Sequence, residues 1–327
     1  MSNFVEMTIA KAINAGIRKA MENNDKVLVF GEDVAELGGV FRVTEGLHKD
    51  FGQKRVFNSP IAESGIIGTA IGLAMRGYRP VAEIQFDGFI FPAFNQITSQ
   101  LAKITNRSEG FLSMPVVIRV PFGGGIGAVE HHSESPEAYF AHTAGLRVVS
   151  PSNPNDAYWM IQQAIESRDP IMFFEPKRRY WQKGQVNLDQ PPQPLHTARV
   201  VHDGSQVTVA AYGPMVTVAL QAAQIAAQEG ISLEVVDLRS MSPIDFTTVV
   251  ESVKRTGRLI VAHEASTFVS ISSEIAARVA ELAFYHLEAP VLRVGGFDVP
   301  YPPAKLEEVF LPDADRILEA VDRILAY

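Results

Sequence analysis

Runs of apolar residues alternate with amphipathic stretches along most of the 327-residue chain. The run at 27–30 is apolar at every position and rich in β-branched residues, which is typical of a strand buried on both faces of a parallel sheet. Ahead of it, Ile9, Ile13 and Ile17 recur at helical spacing behind Thr8, a residue type that favours the position before a helix. Three further runs, PVAEIQF, PVVIRVP and PIMFFEP, are separated by helical patterns. This alternation predicts βαβ units in a doubly wound α/β domain.

The pattern changes between about residues 180 and 203, where Pro191, Pro192 and Pro194 cluster and the first half has no apolar period. Such a composition is typical of a linker between domains. Beyond it, four more apolar runs and their intervening helical patterns predict a second, smaller parallel sheet and a closing helix. We therefore expect two doubly wound parallel-sheet domains, at 1–180 and 204–327, joined by a linker over 181–203.

The composition excludes several classes of protein. The chain contains no cysteine, so disulfides, thiolate nucleophiles, iron–sulfur clusters and thiolate zinc sites are ruled out. A net charge of −8 argues against a nucleic-acid or anionic-membrane partner. No apolar run reaches the roughly 18 residues of a membrane span, and the N-terminal stretch lacks the core of a signal peptide. We expect a soluble cytoplasmic protein.

The glycine-rich string FGGGIG, at 122–127, follows a predicted strand, but its spacing matches neither a dinucleotide-binding motif nor a P-loop. We interpret it as a loop that permits close backbone approach. The segment after it concentrates side chains suited to acid–base chemistry, among them Glu130, His131, His132, Glu134 and Glu137. A catalytic or substrate-contacting loop is the favoured interpretation, and a solvated polar loop and a metal site are the alternatives.

Glu63 stands directly before a predicted helix of mostly small apolar residues, with no other charged residue between Arg55 and Arg76. It is either a first-turn acid that interacts with the helix dipole or a desolvated carboxyl with a raised pKa. The next predicted strand leads into EIQFDGFIFPAF, whose phenylalanines are usually core residues. An exposed ring at the carboxyl end of a strand, such as Phe89 beside Gln85, could instead stack on a flat heterocycle.

Several strings together resemble one family. GEDV, FNSPIAESGIIGTAIGLA, EIQFDGFIFPAFNQI, HHSESPEAYFAHTAGLRVVSPSNPNDA and FFEPKRRY occur in order, and FDVPYPPAKLEEVFLP closes the chain. They resemble the β subunit of thiamine-diphosphate-dependent 2-oxo acid dehydrogenases, the decarboxylating component of the pyruvate and branched-chain complexes. The resemblance implies a pyrimidine-binding α/β domain followed by a transketolase C-terminal-like domain, in agreement with the two units predicted above.

The resemblance also implies roles for individual residues. Glu63 corresponds to the glutamate that hydrogen-bonds N1′ of the cofactor's aminopyrimidine, and Phe89 and Gln85 to neighbours of that ring. His132 corresponds to the active-site histidine, while His131 replaces a position that is often aromatic. The family residue after the following serine is often Gln, whereas this chain has Glu134, which puts one hydrogen bond near the site in doubt.

A structural potassium site is also implied by resemblance. Its ligands would be the carbonyl groups of Val116, Ala164 and Ile165, together with groups of Ser167 and Asp169. Ser167 stands where relatives often carry Asp.

The sequence lacks the G-D-G motif, followed by Asn, that binds Mg²⁺ and the diphosphate in this family. The resemblance therefore implies an α subunit that supplies this site, in an α2β2 heterotetramer whose cofactor lies between the two chains. It also implies that the C-terminal domain docks on the dihydrolipoyl acyltransferase core. Acidic residues at the end of the chain are candidates for that contact, as an alternative to a solvated face: Glu307, Glu308, Asp313 and Asp315.

The predicted function is lipoyl-dependent oxidative decarboxylation of a 2-oxo acid, active only with the α subunit. FFEPKRRY and HHSESPEAYFAH are closer to the branched-chain enzymes than to those for pyruvate, which leaves a pyruvate dehydrogenase β subunit as the alternative. A stand-alone transketolase-type transferase and a non-catalytic scaffold subunit are two further alternatives. The missing G-D-G motif argues against the first, and the joint presence of Glu63 and His132 argues against the second.

Overall fold

A computed structural model describes residues 3–189 and 193–327. Two prolines of the predicted linker, Pro191 and Pro192, lie outside the described residues. The elements of the first part are β1 (Phe4–Thr8), α1 (Ile9–Asn23), β2 (Val27–Gly31), α2 (Leu47–Phe51), β3 (Val56–Asn58), α3 (Glu63–Met75), β4 (Arg79–Glu83), α4 (Ala102–Arg107), β5 (Val117–Phe122), α5 (Glu137–Ala141), β6 (Arg147–Val149), α6 (Pro154–Glu166), β7 (Ile171–Pro176) and β8 (Lys183–Asn187).

The second part continues the alternation of strands and helices. Its elements are β9 (Arg199–His202), β10 (Val207–Ala211), α7 (Met215–Gln228), β11 (Leu233–Asp237), β12 (Ser240–Ser242), α8 (Phe246–Thr256), β13 (Leu259–Ser266), α9 (Ile271–Leu282), β14 (Leu292–Gly296), α10 (Glu307–Phe310) and α11 (Ala314–Leu325). No helix in the described ranges is long and apolar enough to cross a membrane.

The first sheet has seven strands in the order β12-β6-β7-β5-β4-β2-β3. Every pair is parallel except β12 with β6, which is antiparallel. Strands β2, β5 and β7 are buried at every position, as expected where helices cover both faces. Strand β12 comes from the C-terminal half of the chain, so the two halves share this sheet.

The second sheet has five strands in the order β14-β13-β10-β11-β9, parallel except for the antiparallel edge strand β9. The predicted two-domain α/β fold is confirmed, with the correction that each sheet carries one antiparallel edge strand. The segment predicted as a linker over 181–203 contains strands β8 and β9, and β8 pairs with β1 in a small separate ribbon. The domain limits themselves stay a prediction.

Parallel pairing brings the carboxyl ends of the central strands to one edge of the first sheet. Glu32 follows β2, Gln85 follows β4, and the glycine-rich loop follows β5 at that edge. Side chains from distant parts of the sequence therefore meet there, which is where ligands bind in open α/β sheets.

Candidate active site

An aromatic and histidine cluster forms where the chain leaves β4. The ring centroids of Phe86 and His132 are 4.1 Å apart, and those of Phe89 and His132 are 5.1 Å apart. The His131 ring lies 5.9 Å from Phe89 and 4.5 Å from His132. Gly88 permits this approach, because a Cβ atom there would lie 2.7 Å from the Cα atom of His131. Two segments that the sequence analysis singled out separately thus form one site.

His132 is half-buried, and its Nδ1 atom is buried without a hydrogen-bond partner among the described residues. Burial, together with the neighbouring His131 and Lys177, lowers the pKa of His132. Its imidazole is therefore neutral at pH 7 and can accept a proton. His131 is exposed, and its Nδ1 atom lies 3.5 Å from the Glu130 carboxylate.

A buried ion pair holds the segment that carries the histidines. The Lys177 ammonium donates to Asp87 Oδ1 at 2.6 Å, and the backbone N–H of Glu134 donates to Asp87 Oδ2 at 2.7 Å. Both charged side chains are fully buried. The Glu134 carboxylate is half-buried, and burial, with the nearby Asp87 and Glu130, raises its pKa. Asp87 and Lys177 were not predicted as site residues. The sequence shows only that an acidic and a basic residue follow two buried strands.

Acidic side chains form the other half of the site. Glu63 begins α3 and is half-buried, and within residues 3–189 and 193–327 no hydrogen bond reaches its carboxylate. Of the two alternatives for Glu63, its half-buried position at the start of α3 favours the first-turn acid. The buried carboxyl of the site is Glu32, which is only 7% exposed and whose Oε1 atom has no partner in the described part. Burial, then the charges of Glu63, Asp33 and Glu83, raises the pKa of Glu32. Glu32 belongs to the family string GEDV, but no role was predicted for it.

Gln85 and Phe89 lie between the two halves of the site along the chain, and both are half-buried. The Gln85 amide nitrogen lies 3.5 Å from Asp33 Oδ2, at the limit of a hydrogen bond. Phe89 contacts the histidines, whereas Glu63 is linked by its charge to Glu32. The five predicted site residues therefore lie in segments at the same sheet edge, where the Glu63 carboxylate has no hydrogen bond within the described residues.

The residues predicted to bind potassium are bonded within the chain. Arg79 donates to the carbonyl oxygens of Ile165 at 2.6 Å and Ser167 at 2.9 Å, and Asp169 pairs with Arg147 at 3.1 Å. The Val116 carbonyl accepts from a strand N–H, and that of Ala164 lies in the last turn of α6. The potassium site stays a prediction. In the described ranges no group of three or more His, Asp or Glu side chains could hold a metal.

The acidic face expected near the C-terminus is smaller than predicted. Glu307 is buried, and its carboxylate accepts hydrogen bonds from the amides of Gly125 and Gly127, each at 2.9 Å. Glu308, Asp313 and Asp315 are exposed, as expected. The prediction was wrong for Glu307 because the sequence does not reveal its contact with a loop 182 positions away.

Comparison with known proteins gives matches along nearly the whole chain. The family models described as "Transketolase, pyrimidine binding domain" and "Transketolase, C-terminal domain" match residues 5–182 and 196–317. A pyruvate dehydrogenase E1 component subunit beta of Leifsonia xyli is 66% identical over 98% of this chain and 95% of its own. A 3-methyl-2-oxobutanoate dehydrogenase subunit beta of Mycobacterium tuberculosis is 54% identical over 98% and 92%.

A solved structure described as a split-gene transketolase, inactive beta4 tetramer, superposes with a TM-score of 0.77. It covers 98% of this chain and 99% of the other at 24% sequence identity, which is evidence for the fold alone.

Proposed function

Because the chain belongs to the family of 2-oxo acid dehydrogenase E1 β subunits, built from transketolase-type pyrimidine-binding and C-terminal domains, we propose that it is the β half of a thiamine-diphosphate-dependent enzyme. The assembled enzyme decarboxylates a 2-oxo acid and transfers the acyl group to a lipoyl group on an acyltransferase core. The observation that carries this proposal is the contact of Phe89 with His132 at the strand-end edge, together with a Glu63 carboxylate that has no hydrogen bond within the described residues and lies near Glu32.

The side chains at this edge fit an aminopyrimidine. The buried polar atoms that lack a partner within the described residues include two at this edge, Glu32 Oε1 and His132 Nδ1, and polar atoms in that state are costly unless a ligand or water satisfies them. Glu63 offers a carboxylate to a protonated ring nitrogen, and Phe89 offers an aromatic face. When bound, thiamine diphosphate supplies the nucleophilic carbon and the electron sink for decarboxylation.

The chain's own residues then divide the work. Glu63 would share a proton with N1′ of the pyrimidine, and Glu32 is a second, buried carboxyl whose pKa is raised by burial and by the charge of Glu63. Phe89 and Gln85 orient the ring. His132 would assist the transfer to the lipoyl disulfide as an acid that protonates the departing sulfur, or would contact the substrate, and His131 is an exposed polar group beside it.

The diphosphate and its Mg²⁺ require a second chain. The sequence has no G-D-G motif, and the described residues offer no cluster of three metal ligands. We propose that an α subunit binds Mg²⁺ and the diphosphate in an α2β2 heterotetramer, so that each cofactor lies between an α and a β chain.

We propose further that the C-terminal domain docks on the acyltransferase core through its exposed acids Glu308, Asp313 and Asp315. Attraction between opposite charges makes such a contact sensitive to salt. In a pull-down by the basic subunit-binding domain of the core, we expect Glu308→Lys to weaken retention of the tetramer at low salt. Retention that is indifferent to salt and to this reversal contradicts the acidic docking face.

We propose a branched-chain 2-oxo acid as the substrate, on the resemblance of 131–142 and 173–180 to branched-chain enzymes. Pyruvate is the second candidate, and the 66% identical relative named as a pyruvate dehydrogenase subunit favours it. A panel of 2-oxo acids on the reconstituted tetramer separates the two, since the preferred substrate has the higher kcat/KM.

The decisive experiment is activity with and without the α subunit. We expect the purified chain to be inactive and to bind thiamine diphosphate weakly by calorimetry, because the diphosphate ligands are on the partner. The co-expressed pair is expected to release CO₂ from a 2-oxo acid. Tight, Mg²⁺-dependent binding by this chain alone would refute the division of the site between two subunits.

A further inference from the structure

We propose that the C-terminal domain positions the active-site histidine segment, residues 130–137, by holding it at both ends, with Glu307 and Tyr212 as the positioning residues. The proposal rests on the function proposed above for that segment. Neither residue contacts the histidine rings, so both act through the backbone that carries those rings.

The upstream end is held by carboxylates bound to the glycine-rich loop. Glu307 accepts from the amide of Gly125 with Oε1 and from that of Gly127 with Oε2, each at 2.9 Å. The amide of Gly124 donates to Glu264 Oε2 at 3.1 Å. Successive backbone N–H groups of this kind form an anion-binding concavity, and here the anion is a side chain of the same molecule.

Glu307 is charged and fixed in this position. It is 8% exposed, and the Tyr301 hydroxyl donates to its Oε1 at 2.6 Å. Burial opposes ionisation, but the hydrogen bonds from Tyr301 and from the loop amides outweigh it and lower the pKa of Glu307. The carboxylate is therefore an anion at neutral pH, and its hydrogen bonds are of the stronger, charge-assisted kind.

The loop can adopt this shape only with glycine. Gly125 has φ +88°, and a Cβ atom there would lie 2.7 Å from Cδ of Arg178. Arg178 in turn pairs with Glu264 at 2.5 Å. From the sequence, the glycine-rich loop was interpreted as permitting close backbone approach. In the structure it is packed between an arginine of its own domain and carboxylates of the other domain.

The downstream end is held by a buried hydrogen bond. Tyr212 follows β10 in the C-terminal domain, and its hydroxyl donates to Glu137 Oε1 at 2.5 Å. Both side chains are buried. The Tyr212 ring also stacks on His263, with centroids 6.1 Å apart, so its position is set by the second domain.

The glycine-rich loop is hydrogen-bonded to the segment that carries the histidines. The backbone N–H of Gly123 donates to the carbonyl of Glu134 at 2.9 Å, so the loop and the segment are bonded to each other. Glu134 lies two residues from His132 and is also bonded to Asp87. A shift of the loop therefore moves the backbone beside His132, whose ring must be placed accurately for proton transfer.

The test uses the full chain and its assembly with the α subunit. Glu307→Gln keeps the side-chain size but replaces one acceptor oxygen with an NH₂ group that faces an amide donor. We expect kcat for the 2-oxo acid to fall roughly 10- to 100-fold with little change in KM, the scale of a misplaced reacting group. Glu229→Gln is the matched control, since Glu229 is an exposed acid of the same domain, and it is expected to behave as wild type.

The second readout is the pKa of His132, followed by NMR of the full chain with ¹³C-labelled histidine. We expect it to rise toward the ordinary histidine value in Glu307→Gln, while the pKa of the buried His263, which is about 4, stays unchanged. This measurement needs no turnover, so it decides the proposal even if the assembled enzyme acts on no 2-oxo acid. If Glu307→Gln does not fold, Tyr212→Phe is expected to change the pKa of His132 in the same direction.

Two outcomes overturn the proposal. One is a folded Glu307→Gln variant with wild-type kcat and wild-type His132 pKa. The other is an equal shift at His132 and His263, which marks a general loosening of the domain instead of a positioning role.

Discussion

Two groups of ionisable side chains lie in and beside the first sheet, and they differ in how their polar atoms are satisfied. In the first group, Arg119 donates to Glu83 at 2.6 Å and to both oxygens of Glu175 at 2.6 and 2.9 Å. Tyr180 donates to Glu175 at 2.5 Å. The two flanking carboxylates hold the pKa of Arg119 above its ordinary value although burial opposes its charge. The side chains of this group are bonded to one another, and we call it the closed group.

The second group consists of Glu32, Glu63 and His132 and lies at the strand ends. We call it the open group because some of its polar atoms have no partner within the described residues. Glu32 Oε1 and His132 Nδ1 have no partner within the described ranges, and Glu63 is only half-buried. Burial is similar for Glu32 and Glu83, at 7% and 5% exposed, so burial alone does not separate the two groups. In the first group the charges pair with one another, whereas in the second we propose that a ligand or a partner subunit satisfies Glu32 Oε1 and His132 Nδ1.

The largest expected effect comes from opening the closed group. Arg119→Met leaves Glu83 and Glu175 buried without their counter-ion, which should lower the free energy of unfolding by about 3–5 kcal/mol. Urea unfolding followed by circular dichroism measures it. Arg168→Met, at an exposed arginine, is the control and should change stability by less than about 0.5 kcal/mol. A loss as small as the control's would mean that the closed group does not stabilise the fold.

The next effect comes from the open group, where the expected loss is in activity. Glu63→Gln keeps the shape of the side chain but removes its ability to exchange a proton with the pyrimidine. Turnover by the assembled enzyme should fall by on the order of 10²-fold, the usual scale for a lost proton-transfer group. Unfolding should match wild type because no hydrogen bond within the described residues is lost. Near-normal turnover refutes the assignment of Glu63.

The smallest effect concerns Glu137, whose carboxylate has one paired and one unpaired oxygen. Its Oε1 is bonded to Tyr212, and its Oε2 has no partner in the described part. Burial raises the pKa of Glu137 to about 7. A raised pKa means that the folded state holds its proton after the unfolded state has lost it. The free energy of unfolding of wild type should therefore fall relative to that of Glu137→Gln by roughly 2–3 kcal/mol between about pH 4.5 and about pH 7. At higher pH the difference between the two proteins should stay constant. Unfolding of both proteins across this pH range measures it, and a pH-independent difference contradicts it.

Much of the fold could be predicted because local patterns and tertiary packing agree. Thr8 accepts from the N–H of Lys11 as the cap of α1, and Ile9, Ile13 and Ile17 are fully buried. Strands β9 and β12 were missed because they are short edge strands whose only support is pairing with segments far away in sequence. Their sequences carry no period that distinguishes them from a loop.

Candidate site residues could be singled out where a residue type signals chemistry by itself. Phe89, His131 and His132 were singled out in two separate segments, and the structure brings these segments together. The contacts that hold them could not be predicted, because Asp87–Lys177 and Gly125–Glu307 join residues 90 and 182 positions apart. An acidic residue such as Glu307 looks solvated in a sequence until the fold places it against backbone amides.

Strand β12 has a consequence for how the protein is made. Val149 of β6 pairs with β7 on one side and with Ser240 of β12 on the other, and β12 is the last strand of this sheet to leave the ribosome. Until then the nascent first sheet exposes the unpaired edge of β6, which another chain could pair with. Expressing the N-terminal domain alone would make that exposure permanent. The chain therefore completes its first sheet only after the second domain has been synthesised as far as residue 242, and an attempt to separate the two should retain residues 240–242.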